Sequence, residues 1–171
     1  TDFRLNIVAR FDPADVSMVT FQWRTDSVPT GLTLEKNDST GQWRLPDTPA
    51  AGIANDTLQN WMQLLLRLND SPFADAFDES NEKETFRSKI TLRLQNADSL
   101  VFRSFYAKPP EMPEEITLLK AGKLPVYVVH SSQNPLNYFA PPDTTLIRSI
   151  FFPGLRFATG RQKSVDKRNE N

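Results

Sequence analysis

The stretch that decides the fold comprises residues 32–68, LTLEKNDSTGQWRLPDTPAAGIANDTLQNWMQLLLRL. Apolar and polar side chains alternate in residues 32–36 and again in residues 42–45, as in a half-buried strand. Between these two runs lie Asn, Asp, Ser, Thr and Gly, a composition that favours a tight turn. The stretch therefore predicts a β-hairpin with Trp43 on its second strand, which Pro46 would end because it lacks a backbone donor.

One long amphipathic helix is predicted after the hairpin. Its apolar residues recur at helical spacing and form one stripe: Leu58, Trp61, Met62, Leu65 and Leu68. Asp56 is placed to accept hydrogen bonds from the first-turn amides, and Gln59 to reach back as in a capping box. Pro72 disfavours helical geometry in the residue before it, so the helix should end by then. The apolar stripe needs an apolar surface, and the sheet that contains the hairpin is the obvious candidate.

The rest of the chain repeats these patterns. Alternation predicts further strands at residues 3–9, 19–24, 90–95 and 100–106, and a second hairpin from residues 116–119 and 126–129. The last of these runs is apolar on both faces, which is typical of a central strand. Asp143 can cap a short helix. That helix would bring together Leu146, Ile147, Ile150 and Phe151. Phe73 and Phe77 are expected to turn inward from an acidic surface connection.

These elements predict an α+β domain with two layers, in which antiparallel sheet built from hairpins packs on one long and one short helix. The 171 residues fit a single domain, which we place at residues 1–160. Residues 161–171 are polar without an apolar stripe and are predicted to be a disordered tail. The order of hairpin then helix occurs twice, which would fit a weak internal duplication.

Composition excludes several classes of function. Twenty Lys and Arg against 21 Asp and Glu give a net charge of −1, which argues against a nucleic-acid surface or a polybasic membrane patch. The absence of cysteine excludes disulfides, thiolate metal sites and cysteine nucleophiles. The six glycines form no phosphate cradle, so nucleotide binding is not expected. No apolar run is long enough to cross a membrane and no signal peptide is evident, so we expect either a cytosolic protein or a removed export or anchor segment.

Candidate catalytic residues are few. His130 is the only histidine, so a histidine metal cluster or a Ser/His/Asp triad would have to use it, and a structural role is favoured. Five acidic residues at positions 75–84 could bind a hard cation, but they lack the spacing and turn glycine of a calcium loop, which favours a solvated loop. The carboxylate pairs Asp12/Asp15 and Glu114/Glu115 carry little signal for glycoside hydrolysis. We therefore predict no catalytic residue, no metal ligand and no cofactor, and no enzymatic activity.

A loop punctuated by prolines at residues 134–142 is the best candidate for an interaction surface. Most aromatic side chains fall on predicted inward faces and should pack in the core. Tyr138 and Phe139 are exceptions because they lie on this loop, where an exposed aromatic would anchor a partner. The candidate surface comprises Asn134, Leu136, Tyr138, Phe139 and Asp143. An alternative function is a glycan- or peptide-binding module that uses an aromatic surface near Trp23 or Tyr138.

The order of motifs resembles a bacterial envelope domain family of unknown function. The first half has a strand with Gly41, Trp43 and Leu45, a short proline-containing link, a polar cap and the helix at residues 58–68. In the second half, the matching runs are Ser-Phe-Tyr at 104–106, Ile-Thr-Leu-Leu at 116–119, Val-Tyr-Val-Val at 126–129, Leu-Asn-Tyr-Phe at 136–139 and the helix at 145–152. Members of this family often accompany ABC-transporter components of the gliding-motility type.

The resemblance covers residues 16–152 and implies a setting rather than a reaction. It implies a single membrane anchor preceding residue 1, a periplasmic location, and an accessory or scaffold role with transporter subunits as partners. It supplies no catalytic residues. The chain departs from the family at residues 108–110, where Lys-Pro-Pro replaces a glycine-rich turn, and longer members continue into further repeats after the Arg148 helix.

Overall fold

One open antiparallel sheet forms the frame of the molecule in the computed structural model, which describes residues 4–24, 30–46, 48–78, 85–107 and 127–153. The eight described strands are β1 (Val16–Trp23), β2 (Thr30–Lys36), β3 (Trp43–Leu45), β4 (Thr48–Ile53), β5 (Phe86–Leu94), β6 (Ser99–Tyr106), β7 (Tyr127–Ser131) and β8 (Tyr138–Phe139). Their order in the sheet is β4-β3-β2-β1-β5-β6-β7-β8. Helix α1 (Asn55–Leu66) follows β4 and helix α2 (Thr144–Phe151) follows β8, so the α+β class is confirmed.

The predicted hairpin is present. β2 pairs antiparallel with β3, with Glu35 opposite Arg44. In the turn, the side-chain oxygen of Asn37 accepts hydrogen bonds from the amides of Ser39 and Thr40 at 2.9 and 3.1 Å. Gly41 has a φ of 69°, a left-handed conformation that glycine adopts without steric cost. Residues 37–41 therefore form the turn that their composition predicts.

Helix α1 buries the predicted stripe but begins differently. All five stripe residues, Leu58, Trp61, Met62, Leu65 and Leu68, are buried. The helix begins at Asn55 with Ala54 at the N-cap, and no side chain caps it, so the predicted cap at Asp56 is wrong. The reason is that the backbone oxygen of Ala54 already accepts from the amide of Thr57, which places Asp56 inside the first turn. There its charge still suits the positive end of the helix dipole.

Alternation along the strands separates the two faces of the sheet. Phe21 of β1 packs edge-on against Trp61 of α1, with ring centroids 5.0 Å apart. The indole of Trp23, two residues along the same face, donates to the backbone oxygen of Phe151 in α2 at 2.6 Å. Phe21 and Trp23 of β1 therefore contact α1 and α2, respectively.

Two strand predictions had different outcomes. Residues 4–10 form no strand, so the predicted first strand is wrong over the part of it that the structure describes. The strand predicted at 126–129 appears as β7, fully buried and paired on both sides, as expected of a central strand. Its neighbours are β6 and β8. The predicted hairpin partner at 116–119 and the tail at 161–171 lie outside the described residues.

Candidate functional site

The N-terminal segment, residues 4–10, lies beside the loop between β7 and β8, residues 132–137. The side-chain amide of Gln133 accepts from the amide of Arg10 at 2.7 Å and donates to its backbone oxygen at 2.6 Å. The side-chain amide of Asn134 donates to the backbone oxygens of Leu5 and Ile7 at 2.9 and 3.3 Å. These hydrogen bonds join the two segments through backbone groups of residues 4–10 that would pair with a neighbouring strand if the segment were part of the sheet.

A charged group fixes one end of this arrangement. Arg4 makes a bidentate ion pair with Asp75, with N···O distances of 2.6 and 3.0 Å, and donates to the side chain of Asn137 at 3.3 Å. Its guanidinium carbon lies 3.8 Å from the centroid of the Phe73 ring. Because the pair is exposed to water, its main effect is on geometry rather than on stability.

A shallow groove of about 410 Å³ runs between the two segments. It is lined by Arg4, Leu5, Ile7, Arg10, Gln133, Asn134 and Asn137. Leu5, which lines the groove, is 69% exposed, and Leu136, in the adjacent loop, is 91% exposed. Among the described residues, only one further large hydrophobic side chain, Tyr106, is exposed. One exposed leucine, Leu5, therefore lines the groove, and a second, Leu136, lies in the loop that forms its other side.

The structure divides the predicted interaction residues between surface and core. Asn134 lines the groove, and Leu136 is exposed in the same loop. Tyr138 is half-buried, and its ring lies 4.8 Å from Phe77 and 4.9 Å from His130, centroid to centroid. Phe139 is fully buried, so its expected role as an exposed anchor is wrong. The reason is that Phe139 belongs to β8 and points to the same side of the sheet as its partner Val129, which is also fully buried.

The remaining predicted surface residue, Asp143, has a structural role that the sequence predicted. Its carboxylate accepts from the amide of Leu146 at 2.9 Å and so caps α2. An N-cap of this kind satisfies one of the amides that the first turn leaves without a partner. Asp143 is exposed, yet its carboxylate is already used by the helix.

His130 is held as a structural residue. It is 8% exposed, on β7. Its Nε2 lies 3.0 Å from the backbone oxygen of Pro135, an acceptor, and its Nδ1 lies 3.3 Å from a nitrogen of Arg103, a donor. These partners fit a neutral ring with its proton on Nε2. Both ring nitrogens are thereby occupied by the fold.

The acidic candidates do not converge on a metal in the part of the chain that is described. No group of three or more His, Cys, Asp or Glu residues there could hold a metal ion. Asp75 pairs with Arg4, and Asp12 caps a short 3-10 helix at Pro13–Asp15. Positions 79–84 and Glu114/Glu115 lie outside the described residues. Neither of the described helices is long and apolar enough to cross a membrane.

The tryptophans serve the core rather than an aromatic platform. Trp43 and Trp61 are buried. Trp23 stacks on Phe21 at 5.7 Å and bonds to α2, so its ring is committed to the helix-contacting face. Of the two positions considered for a glycan platform, only Tyr138 is outside that face.

Leu5 and the hydrogen bonds of Gln133 and Asn134 to the N-terminal segment were not predicted as parts of a site. Leu5 alternates with its neighbours as a strand residue would, and this pattern gives no sign that its backbone is held by Asn134. The two residues are distant in sequence, so no local signal could have joined them.

Comparison of the chain with protein-family models, with curated proteins and with solved structures gives no match. The resemblance to the envelope family therefore stays a prediction. What the domain does has to be argued from the groove, the exposed leucines and the charges of the chain itself.

Proposed function

We propose that this chain is a non-catalytic protein-interaction domain whose working surface is the groove between residues 4–10 and 132–137. The observation that carries the proposal is the pair of exposed leucines in these two segments, Leu5 in the lining of the groove and Leu136 in the loop beside it. Neighbouring backbone is already ordered by Asn134 and Gln133, so a partner would bury apolar surface with little additional ordering cost. Exposed apolar side chains beside a polar rim are typical of protein interfaces.

The setting that we propose comes from the family resemblance. In the full-length protein the domain would lie in the periplasm, tethered to the cytoplasmic membrane by an anchor preceding residue 1. It would act as an accessory or scaffold for an ABC-type transport system of the envelope, with transporter subunits as partners. The order and spacing of motifs over residues 16–152 support this setting.

We also propose the finer features of the fold. Contacts of Trp61 with Phe21 and of Trp23 with α2 support two layers, with both helices against one face of the sheet. Among the described residues, each half of the chain has four strands in sequence followed by a helix, and the two sets meet in the antiparallel pair β1 and β5. This arrangement supports an internal duplication.

A second candidate function is the binding of a glycan or peptide in the same groove. The observation that favours it is the convergence of a cationic side chain, Arg10, with the amides of Asn134 and Asn137 around a concave space of about 410 Å³. Pockets for small ligands combine apolar walls with a few convergent polar groups in this way.

A crosslinking experiment distinguishes the two candidates. A photoreactive residue would replace Leu136 in the membrane-anchored full-length protein, and a second variant would carry it at Gln59 on the exposed side of α1 as a matched control. We expect subunits of an ABC transporter to be captured from native membranes at position 136 and not at 59. Equal capture at both positions would overturn the proposed surface. Crosslinks to glycan or short peptide alone would favour the second function.

A further inference from the structure

The sheet face opposite to the helices carries an unusual arrangement of cations. On β5 this face presents Lys89, Thr91 and Arg93, and on β6 it presents Val101 and Arg103, since their neighbours Ile90, Leu92 and Phe102 pack in the core. Lys89 lies directly opposite Arg103 in the β5–β6 register. Like charges in this position destabilise a sheet because their Cβ atoms are only about 5 Å apart. The register therefore places two cations side by side on this face.

Protection of a sheet edge does not account for these charges. Lysines on edge strands discourage the pairing of one sheet with another. β5 and β6, however, are in the middle of the sheet, with β1 on one side and β7 on the other. Edge protection therefore gives no reason for these charges, and the surface above the face remains to be considered.

Little negative charge in the described strands offsets these cations. On this face of the strands described, the one acidic side chain is Glu35 of β2. Met18 of β1 separates it from Arg93, a distance of two strands or about 10 Å. Arg103 donates to the ring of His130. Lys89 and Arg93 form no ion pair within the described part of the chain.

We infer that this face binds an extended acidic segment of a protein partner. Alternate residues of an extended chain repeat every 6.8 Å or so, and residues on one face of β5 repeat at the same interval. An extended segment with Asp or Glu at every second position would thus place carboxylates over Lys89 and, about 13 Å further along, over Arg93. The hydroxyls of Thr20 and Thr91, paired across β1 and β5, lie between and can hydrogen-bond to the segment.

Charge and shape favour a peptide over other anions. A nucleic acid is bound by a long basic surface with aromatic rings for stacking, whereas this chain has a net charge of −1. The row of side chains through Thr33, Thr20, Thr91 and Val101 is short and β-branched, and offers no ring. Such a surface suits a narrow extended chain. The inference uses Lys89 and Arg93 of β5 and not the exposed leucines, so it does not rest on the proposed function.

The test uses two peptides of the same length and composition in a serine background. Both carry the same number of glutamates, which occupy alternate positions in one peptide and are separated by two serines in the other, so that successive carboxylates of the second turn to opposite sides of an extended chain. We expect the full chain to bind the first peptide at least about tenfold more tightly at low salt, and to lose this preference as salt is added. Equal binding of both peptides, or no binding of either, would overturn the inference.

Three variants connect the binding to the face. Lys89→Gln and Arg93→Gln should each weaken binding of the first peptide, whereas Arg67→Gln, the same change of charge at the exposed end of α1, should not. Because Lys89→Gln removes a like-charge pair, its melting temperature should equal or exceed that of the parent chain, which separates lost binding from lost folding. If Arg67→Gln weakened peptide binding as much as the other two variants, the attraction would be non-specific and the inference would be overturned. Tighter binding of a sulfated polysaccharide than of the first peptide, unchanged by Lys89→Gln and Arg93→Gln, would also overturn it.

Discussion

The indole Nε1 of Trp61 donates a hydrogen bond of 2.9 Å to the backbone oxygen of Ile150, which joins the middle of α1 to the last turn of α2. The last four carbonyl groups of a helix have no partner within the helix. Trp61 satisfies one of them, while its ring packs against Phe21 of the sheet. The Trp61 side chain therefore connects both helices and strand β1.

The Trp61→Phe variant isolates this hydrogen bond. Phenylalanine keeps an apolar ring but leaves a buried carbonyl without its donor and a small void, so we expect the free energy of unfolding to fall by about 2–4 kcal/mol. Trp23→Phe is the matched control, since Trp23 makes the same kind of bond to Phe151 at a partly exposed position where water can replace it. Urea unfolding should show a clearly smaller loss of unfolding free energy for Trp23→Phe than for Trp61→Phe. Similar losses would mean that the buried hydrogen bond of Trp61 stabilises the fold no more than the partly exposed one of Trp23.

Truncation of neighbouring residues separates core from surface in the β7–β8 region. Phe139→Ala should lower the free energy of unfolding by about 3–5 kcal/mol, because it removes a fully buried ring that packs 5.3 Å from Phe73. Leu136→Ala should change it by no more than about 0.5 kcal/mol, because that side chain is 91% exposed. Thermal unfolding measures both. A large loss of unfolding free energy in Leu136→Ala would show that Leu136 packs in the fold and is not part of the interaction surface.

The sequence predicted the elements whose signals are local. Turn residues 37–41 directly follow the strand they reverse, and the stripe from Leu58 to Leu68 is a periodicity that only one face of a helix can satisfy. Asp143 likewise caps the helix that begins at the next residue. In each case the residues that form the interaction are close in sequence, so one short window contains both partners.

Predictions were wrong where distant side chains override a local pattern. Residues 4–10 alternate like a strand, but Asn69 and Gln133 take the backbone groups of Val8, Ala9 and Arg10. Phe139 looked like a loop aromatic, yet its pairing with β7 places it in the core. The groove depends on the same distant contacts, so Leu5, which lines it, was not predicted as part of a surface. Leu136 was predicted because it lies on a loop.

The side-chain amides of Asn69 and Gln133 form hydrogen bonds that hold the N-terminal segment in place. Asn69 accepts from the amides of Val8 and Ala9 at 2.8 and 2.9 Å and donates to the oxygen of Ala9 at 2.7 Å. Asn69→Ala should therefore speed hydrogen exchange at both amides, and Gln133→Ala should do so at Arg10 alone, because each variant removes a different acceptor. NMR-detected exchange tests this, with Gln63→Ala on the exposed side of α1 as the control. Unchanged exchange in the Asn69 variant would show that these bonds do not hold the segment.

The tyrosine pair at the ends of β6 and β7 predicts a loss of stability at alkaline pH. The ring centroids of Tyr106 and Tyr127 are 5.1 Å apart, and the hydrogen bond between their side chains, with a smaller effect from partial desolvation, raises the pKa of Tyr106 above its usual 10.0. A raised pKa means that the folded protein holds this proton more tightly than the unfolded chain, so the stabilisation is complete below pH 10 and is lost as the pH rises through the folded value. The free energy of unfolding should thus fall more steeply above pH 10 for the parent chain than for Tyr106→Phe, which has no phenol to ionise. In the Tyr127→Phe variant, the phenolate absorbance of Tyr106 should appear at lower pH; parallel unfolding curves and an unmoved absorbance would contradict the coupling of the two rings.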